Sequence, residues 1–213
     1  MPTRRSVWSL LPSRRGRNPT ATKLYGRLVA QARAEPFYAI LEVPDTPEGR
    51  LEMIMLHLVL VQEPLIAGGE AGAVLARDLS ETFVADLDDC LREMAVSDLA
   101  VPRKVKKAAA ALFERTRDYG AALAGQDAGA LAGLIEQHVL MVAQGEGASD
   151  HSSSDNPSHS RSGPSQTAAS ASTASPSASR IAAYAMEARG RLGAIDAAGL
   201  AGGALPWPDP LAF

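Results

Sequence analysis

The chain has one cysteine among 213 residues. An internal disulfide is therefore excluded, and so are a zinc finger, a CxxC redox centre and a cysteine-ligated cluster within one chain. Histidines number four, and aromatic residues make up only 5%. With alanine and leucine abundant instead, the composition favours helices, because strands want β-branched and aromatic residues. The longest apolar run, Met53–Val61, is interrupted by His57. It falls well short of the about 20 residues that a membrane span requires and reads as a buried helix. There is no GxSxG, HExxH, P-loop or strand-to-helix GxGxxG motif. A small enzyme would have to work with an unfamiliar site, since no nucleophile–base pair can be named.

What is present divides the chain unevenly. Residues 1–34 hold Arg4, Arg5, Arg14, Arg15, Arg17, Lys23, Arg27 and Arg33 and no acid. The remainder has 13 basic residues against all 24 acidic ones, a net −11 inside an overall −3. A basic, acid-free head with Ser6, Trp8, Leu10 and Leu11 reads as a targeting or membrane-surface segment. It reads equally as a disordered arm touching anionic lipid or RNA, or as a frayed terminus without a role. It is not a secretory signal, because no apolar stretch of about 7–15 residues follows the arginines.

A second shift comes late. From Gly145 to Ser179 the chain turns to serine, alanine, threonine, proline and glycine, with no Leu, Ile, Val, Phe, Trp or Tyr. Such a stretch cannot bury enough apolar surface to offset its ordering entropy. The expected organisation is a disordered basic arm over 1–19, a helical domain over 20–145 and a flexible insert over 146–179. Residues 180–213 are expected to add a helix and tail that complete the same domain. His151 and His159 fall in the insert and are read as solvated, since metal ligands need rigid support.

The body reads as an all-α bundle of about six helices. Thr22 is expected to cap the first, which carries Leu24, Leu28 and Val29 and stops near Ala34 ahead of Pro36. Phe37 to Val43 form an apolar connector. Asp45 with Glu48 three residues later resembles a capping box, with Pro47 in the first turn. The second helix, through Leu51, Ile54, Met55, Leu58 and Val61, is apolar on nearly all faces and should be the most buried, ended or kinked by Pro64. Gly68, Gly69 and Gly72 suggest a loop. The third helix aligns Leu75, Leu79, Phe83, Leu87, Cys90, Leu91 and Met94, with an acidic remainder. The fourth starts at Pro102 and aligns Val105, Ala109, Leu112, Thr116, Tyr119 and Leu123. Asp127 can cap a fifth with Leu131, Leu134, Ile135, His138 and Val142, and Ile181, Tyr184, Ala188 and Leu192 mark a sixth.

Cys90 reads as a buried structural thiol, and His57 and His138 as core histidines. Met53, Met55 and Met94 either fill the core or offer an adaptable apolar surface to a client. Arg103-Lys104-Val105-Lys106-Lys107 runs against local physics. Cations in a helix's first turns face the positive end of its dipole, and each costs roughly a few tenths of a kcal/mol. The cluster is either a solvated face offset by nearby acids or a dock for an anionic partner through Arg103, Lys104, Lys106 and Lys107.

Several strings then become informative in order: Leu24-Tyr25, Pro36-Phe37-Tyr38 and Pro44-Asp45-Thr46-Pro47-Glu48-Gly49-Arg50. His57-Leu58, Phe83-Val84-Ala85-Asp86-Leu87-Asp88, Leu91-Arg92-Glu93-Met94 and Ser97 to Lys107 follow. With the late Leu205-Pro206-Trp207-Pro208-Asp209-Pro210 they resemble the ubiquinol–cytochrome c chaperone family, bacterial relatives of the mitochondrial cytochrome b assembly factor. The resemblance covers roughly 20–143 and, more weakly, 180–210. It implies a non-catalytic chaperone without a cofactor that holds newly made cytochrome b, or a bc1 assembly intermediate. It also implies a place at the cytoplasmic side of a bacterial inner membrane, or at the matrix side in a mitochondrion. DNA and small-molecule substrates are not expected. An anionic membrane surface or the ribosome is the further contact considered, and a helical module binding nucleic acid or ribosome through the basic patches is the alternative. The family offers no catalytic residues to carry over.

Overall fold

A computed structural model describes residues 18–141 and 174–213. The basic arm up to residue 17 and the insert up to residue 173 lie outside the described residues, as do His151 and His159.

The described residues are helical and contain no strand. The helices are α1 (Pro19–Ala32), α2 (Glu35–Ala39), α3 (Pro47–Ala67), α4 (Glu70–Glu93), α5 (Val101–Ala124) and α6 (Ala128–Ile135). A π-helical turn at Glu136–Leu140 extends α6, and α7 (Pro176–Gly193) and α8 (Ala197–Ala201) follow. The six longer helices are those the periodicity predicts; α2 and α8 add one turn each.

The ends of the helices differ from the expected caps for identifiable reasons. Asn18, not Thr22, caps α1: its Oδ1 accepts from the Thr20 amide at 2.9 Å, and Pro19 takes the first position. Thr22 lies inside the helix and its hydroxyl donates back to the Asn18 carbonyl. At α3 the cap is Thr46, whose hydroxyl accepts from the Gly49 amide at 3.1 Å, while Asp45 turns away to pair with Arg50. Pro64 does not end α3, which continues to Ala67; near a C-terminus a proline removes only one ladder bond. Asp127 caps α6 through the Ala130 amide, as its position predicts.

α7 begins inside the stretch expected to be flexible. Ser175 accepts from the Ala178 amide, and Pro176 holds the first helical position. This Ser-Pro pair is a cap followed by a favoured starting residue, not linker composition. Glu136 of the π-helical turn accepts from the Ser175 amide at 3.0 Å, tying α6 to the start of α7.

The core is arranged around α3. Thirteen of its residues are buried, and α1, α4, α5, α7 and α8 all pack on it. Gly72 lies in α4, not in the preceding loop, because the two helices approach closely there. A Cβ on Gly72 would stand 2.0 Å from the Leu65 carbonyl oxygen. Gly69, at φ +92°, makes the reversal between the helices. A smaller cluster of Leu91, Val101 and Val105 closes the α4–α5 hairpin near its tip.

α3 also buries three polar side chains, each bonded to a different neighbour. Glu52 takes two 3.0 Å hydrogen bonds from Arg115 of α5. His57 meets Tyr184 of α7 at 2.9 Å. Gln62 donates to the Ala76 carbonyl at 3.1 Å and to the Ser80 hydroxyl at 2.6 Å, both on α4.

Two consequences for stability are measurable. Arg115→Met strands the Glu52 carboxylate and should cost about 3–5 kcal/mol in urea unfolding, most of it recovered when Glu52→Leu is added. Gly72→Ala should cost about 1–3 kcal/mol in the same assay, by forcing α4 off the Leu65 carbonyl.

Candidate partner-docking surface

α5 is amphipathic in a way that sets out its outer face. Val105, Leu112, Tyr119 and Leu123 point into the protein and are buried. Steps of three and four on the opposite side then align Arg103, Lys106, Ala110, Phe113 and Arg117. All five are exposed, and so are Lys104 and Lys107. The structure therefore brings the four predicted cations, Arg103, Lys104, Lys106 and Lys107, onto the solvent side of one helix start. Among the described residues no ion pair joins Arg103, Lys104 or Lys106. Asp98, one of the acids close in sequence to the cluster, pairs with Arg92 of α4 at 3.1 Å, and Arg92 also holds Asp88 at 2.7 Å.

Phe113 stands on this face with 74% of its surface exposed, and Leu99, in the turn before α5, with 93%. Sequence reasoning passed over both as site residues. A signal was available for Phe113: it falls one residue beyond Leu112 and so off the buried stripe. Met94, at the end of α4, is 55% exposed, whereas Met53 and Met55 are buried in the core. Of the three methionines considered as client contacts, only Met94 faces solvent.

The remaining candidates are structural. Cys90 is half-buried rather than buried. Burial, with Asp86, Glu93 and Asp89 nearby, pushes its thiol above the usual range. That is the reverse of what a nucleophile needs. His57 is fully buried. A carbonyl only accepts, so the 2.8 Å contact to Met53 O places the proton on Nδ1, leaving Nε2 to accept from the Tyr184 hydroxyl. Tyr184 in turn accepts from Gln31 of α1 at 3.2 Å. Phe37 stands edge-on to His57 and Tyr184, and Trp207 packs edge-on to His57 at 5.0 Å. The Trp207 indole N–H and the Tyr119 hydroxyl are buried without a hydrogen bond of ordinary geometry.

His138, in the π-helical turn, is half-buried beside Tyr119. Its pKa is lowered by burial and by Arg115. Among the described residues no group of three or more His, Cys, Asp or Glu side chains is placed to hold a metal ion. No helix among them is long and apolar enough to cross a membrane.

A protein-family model described as ubiquinol–cytochrome C chaperone matches residues 39–207. The crystal structure of the Cbp3 homolog from Brucella abortus is 30% identical and superposes with a TM-score of 0.67, covering 90% of this chain and 90% of that one. The curated proteins contain no match.

Burial gives His57 a pH signature. Desolvation lowers its pKa from 6.5 to about 4 in the folded chain. Between those values the unfolded chain binds the extra proton, so stability should fall as pH drops from about 6.5 toward 4. The total loss from this group is about 3 kcal/mol. His57→Gln should flatten that part of the stability–pH curve relative to the parent; equal slopes in denaturant melts would contradict the assignment.

Proposed function

The chain belongs to the ubiquinol–cytochrome c chaperone family, and from that premise we propose that it is an assembly factor for the cytochrome bc1 complex. In this reading it binds newly made cytochrome b before incorporation and acts by binding alone. The family match over most of the body carries the reading. The outer face of α5 supports it, because exposed apolar side chains beside a row of cations suit a protein that works through contacts.

Physical chemistry is compatible with such a client. Cytochrome b is a protein of apolar helices, and holding one before insertion needs surface that tolerates varied apolar contact. Met94 and Leu99 at the α4–α5 tip are exposed side chains of that kind. The Arg103–Lys107 row serves as the docking surface for an anionic partner. The protein works at the cytoplasmic side of the inner membrane of a bacterium, where its client is inserted.

Deleting the chaperone should lower bc1 content and the haem-b absorbance of membranes. Cytochrome b should co-purify with the tagged chain from mildly solubilised membranes. Normal bc1 levels in the deletion strain, with no cytochrome b in the eluate, would rule the reading out.

A further inference from the structure

We infer that the outer face of α5, with the turn that precedes it, docks the protein onto an anionic lipid bilayer. The inference rests on the assembly-factor reading above and names the partner of the basic row. Four observations carry it. Arg103, Lys104, Lys106 and Lys107 are all exposed within the first two turns of α5. They sit at the positive end of the helix dipole, where cations weaken the fold. Asp98 and Asp88 pair with Arg92 of α4, and among the described residues no ion pair joins Arg103, Lys104 or Lys106. Finally, Leu99 and Phe113 bracket the cations, 93% and 74% exposed.

These features together select the occupant. Phosphate-bearing headgroups complement a cationic row, and lysine stems are long enough to reach them while a nearby ring sits deeper. Arg103, Lys106, Ala110 and Phe113 follow one line along the helix, about 15 Å from first to last. A helix lying along the surface would thus present charge and ring to the bilayer together, with the cations reaching up to the headgroups and the ring below them. Leu99 has no stacking value for a nucleic-acid base, and an apolar protein partner would leave Arg103, Lys104 and Lys106 without counter-charge. A fluid anionic interface rewards both kinds of side chain.

The test uses the full chain with vesicles of phosphatidylcholine alone and vesicles mixed with phosphatidylglycerol. The parent chain should sediment with the mixed vesicles, and less so as salt rises. Lys104→Glu with Lys106→Glu should lower its partition by at least about tenfold. Phe113→Ser should lower it by about fivefold with the salt dependence unchanged. All these positions are exposed, so thermal midpoints should stay within a few degrees of the parent. Residues 1–34 are present in every variant, so binding through them appears as an equal background.

Phe113→Trp gives an independent readout: its emission, compared with that of the parent chain, should shift to the blue on mixed vesicles only. Partition equal to the parent in both variants, or Phe113→Trp emission that does not move, would overturn the inference. So would charge reversal that abolishes binding to RNA while leaving vesicle binding intact. The assembly reading is judged separately, in detergent. A Phe113→Ser chain that loses vesicles but still retains cytochrome b upholds both statements; a parent chain that binds vesicles but never retains cytochrome b upholds only the docking.

Discussion

A helix buried on every side can keep polar side chains only if each finds a partner, and in α3 that requirement decides where its neighbours lie. Glu52, His57 and Gln62 are spaced five residues apart, so each points about 140° around the axis from the one before. They therefore look outward in three directions. Arg115, Tyr184 and the Ala76–Ser80 pair meet them from α5, α7 and α4. Hydrophobic burial alone would let these helices slide or rotate against α3 at little cost. A buried carboxylate, imidazole or carboxamide without its partner costs a few kcal/mol, which penalises a shifted register.

The same three contacts give the fold its closure. The sequence separations are 63 residues for Glu52–Arg115 and 127 for His57–Tyr184. Those links, with the Glu63–Arg189 pair from α3 to α7 at 2.6 Å, join parts of the chain that local structure would leave independent. The C-terminal tail adds Trp207 against His57, and Arg27 of α1 donates to the Gly203 carbonyl. α5 is fixed from behind, at its start by Val101 and Val105 against Leu91 and farther along by Arg115 on Glu52. Its outer face is free of that task. A rigid helix that holds charges and a ring in one line suits contact with a surface better than a loop would.

Much of this could be read from residue order. The all-round apolar character of α3, the cap at Asp127 and the stripe of α5 follow from periodicity and cap chemistry, and they hold. Errors came where two local solutions compete. Asp45 and Thr46 are both good caps, and only the tertiary demand of Arg50 on Asp45 separates them. Ser175-Pro176 has linker composition and cap chemistry at once. Gly72 reads as a loop residue unless one knows that the Leu65 carbonyl lies against it. For the candidate site, the four cations were legible because they oppose the helix dipole, a local rule. Phe113 and Leu99 were not singled out, since exposure depends on what packs nearby. Arg115 looked like any other charged residue of α5 until Glu52, from a distant helix, gave it a buried partner.

Synthesis order gives the jacket around α3 a further meaning. α3 leaves the ribosome early, while α7 begins roughly 110 residues later and Trp207 later still. At about 5–20 residues per second the interval is on the order of ten seconds. Throughout it, the His57 side of an almost wholly apolar helix has Phe37 beside it but lacks the cover that α7 and Trp207 supply. A member of a chaperone family therefore carries, in its own core, a nascent apolar helix that waits for its last neighbours to be made.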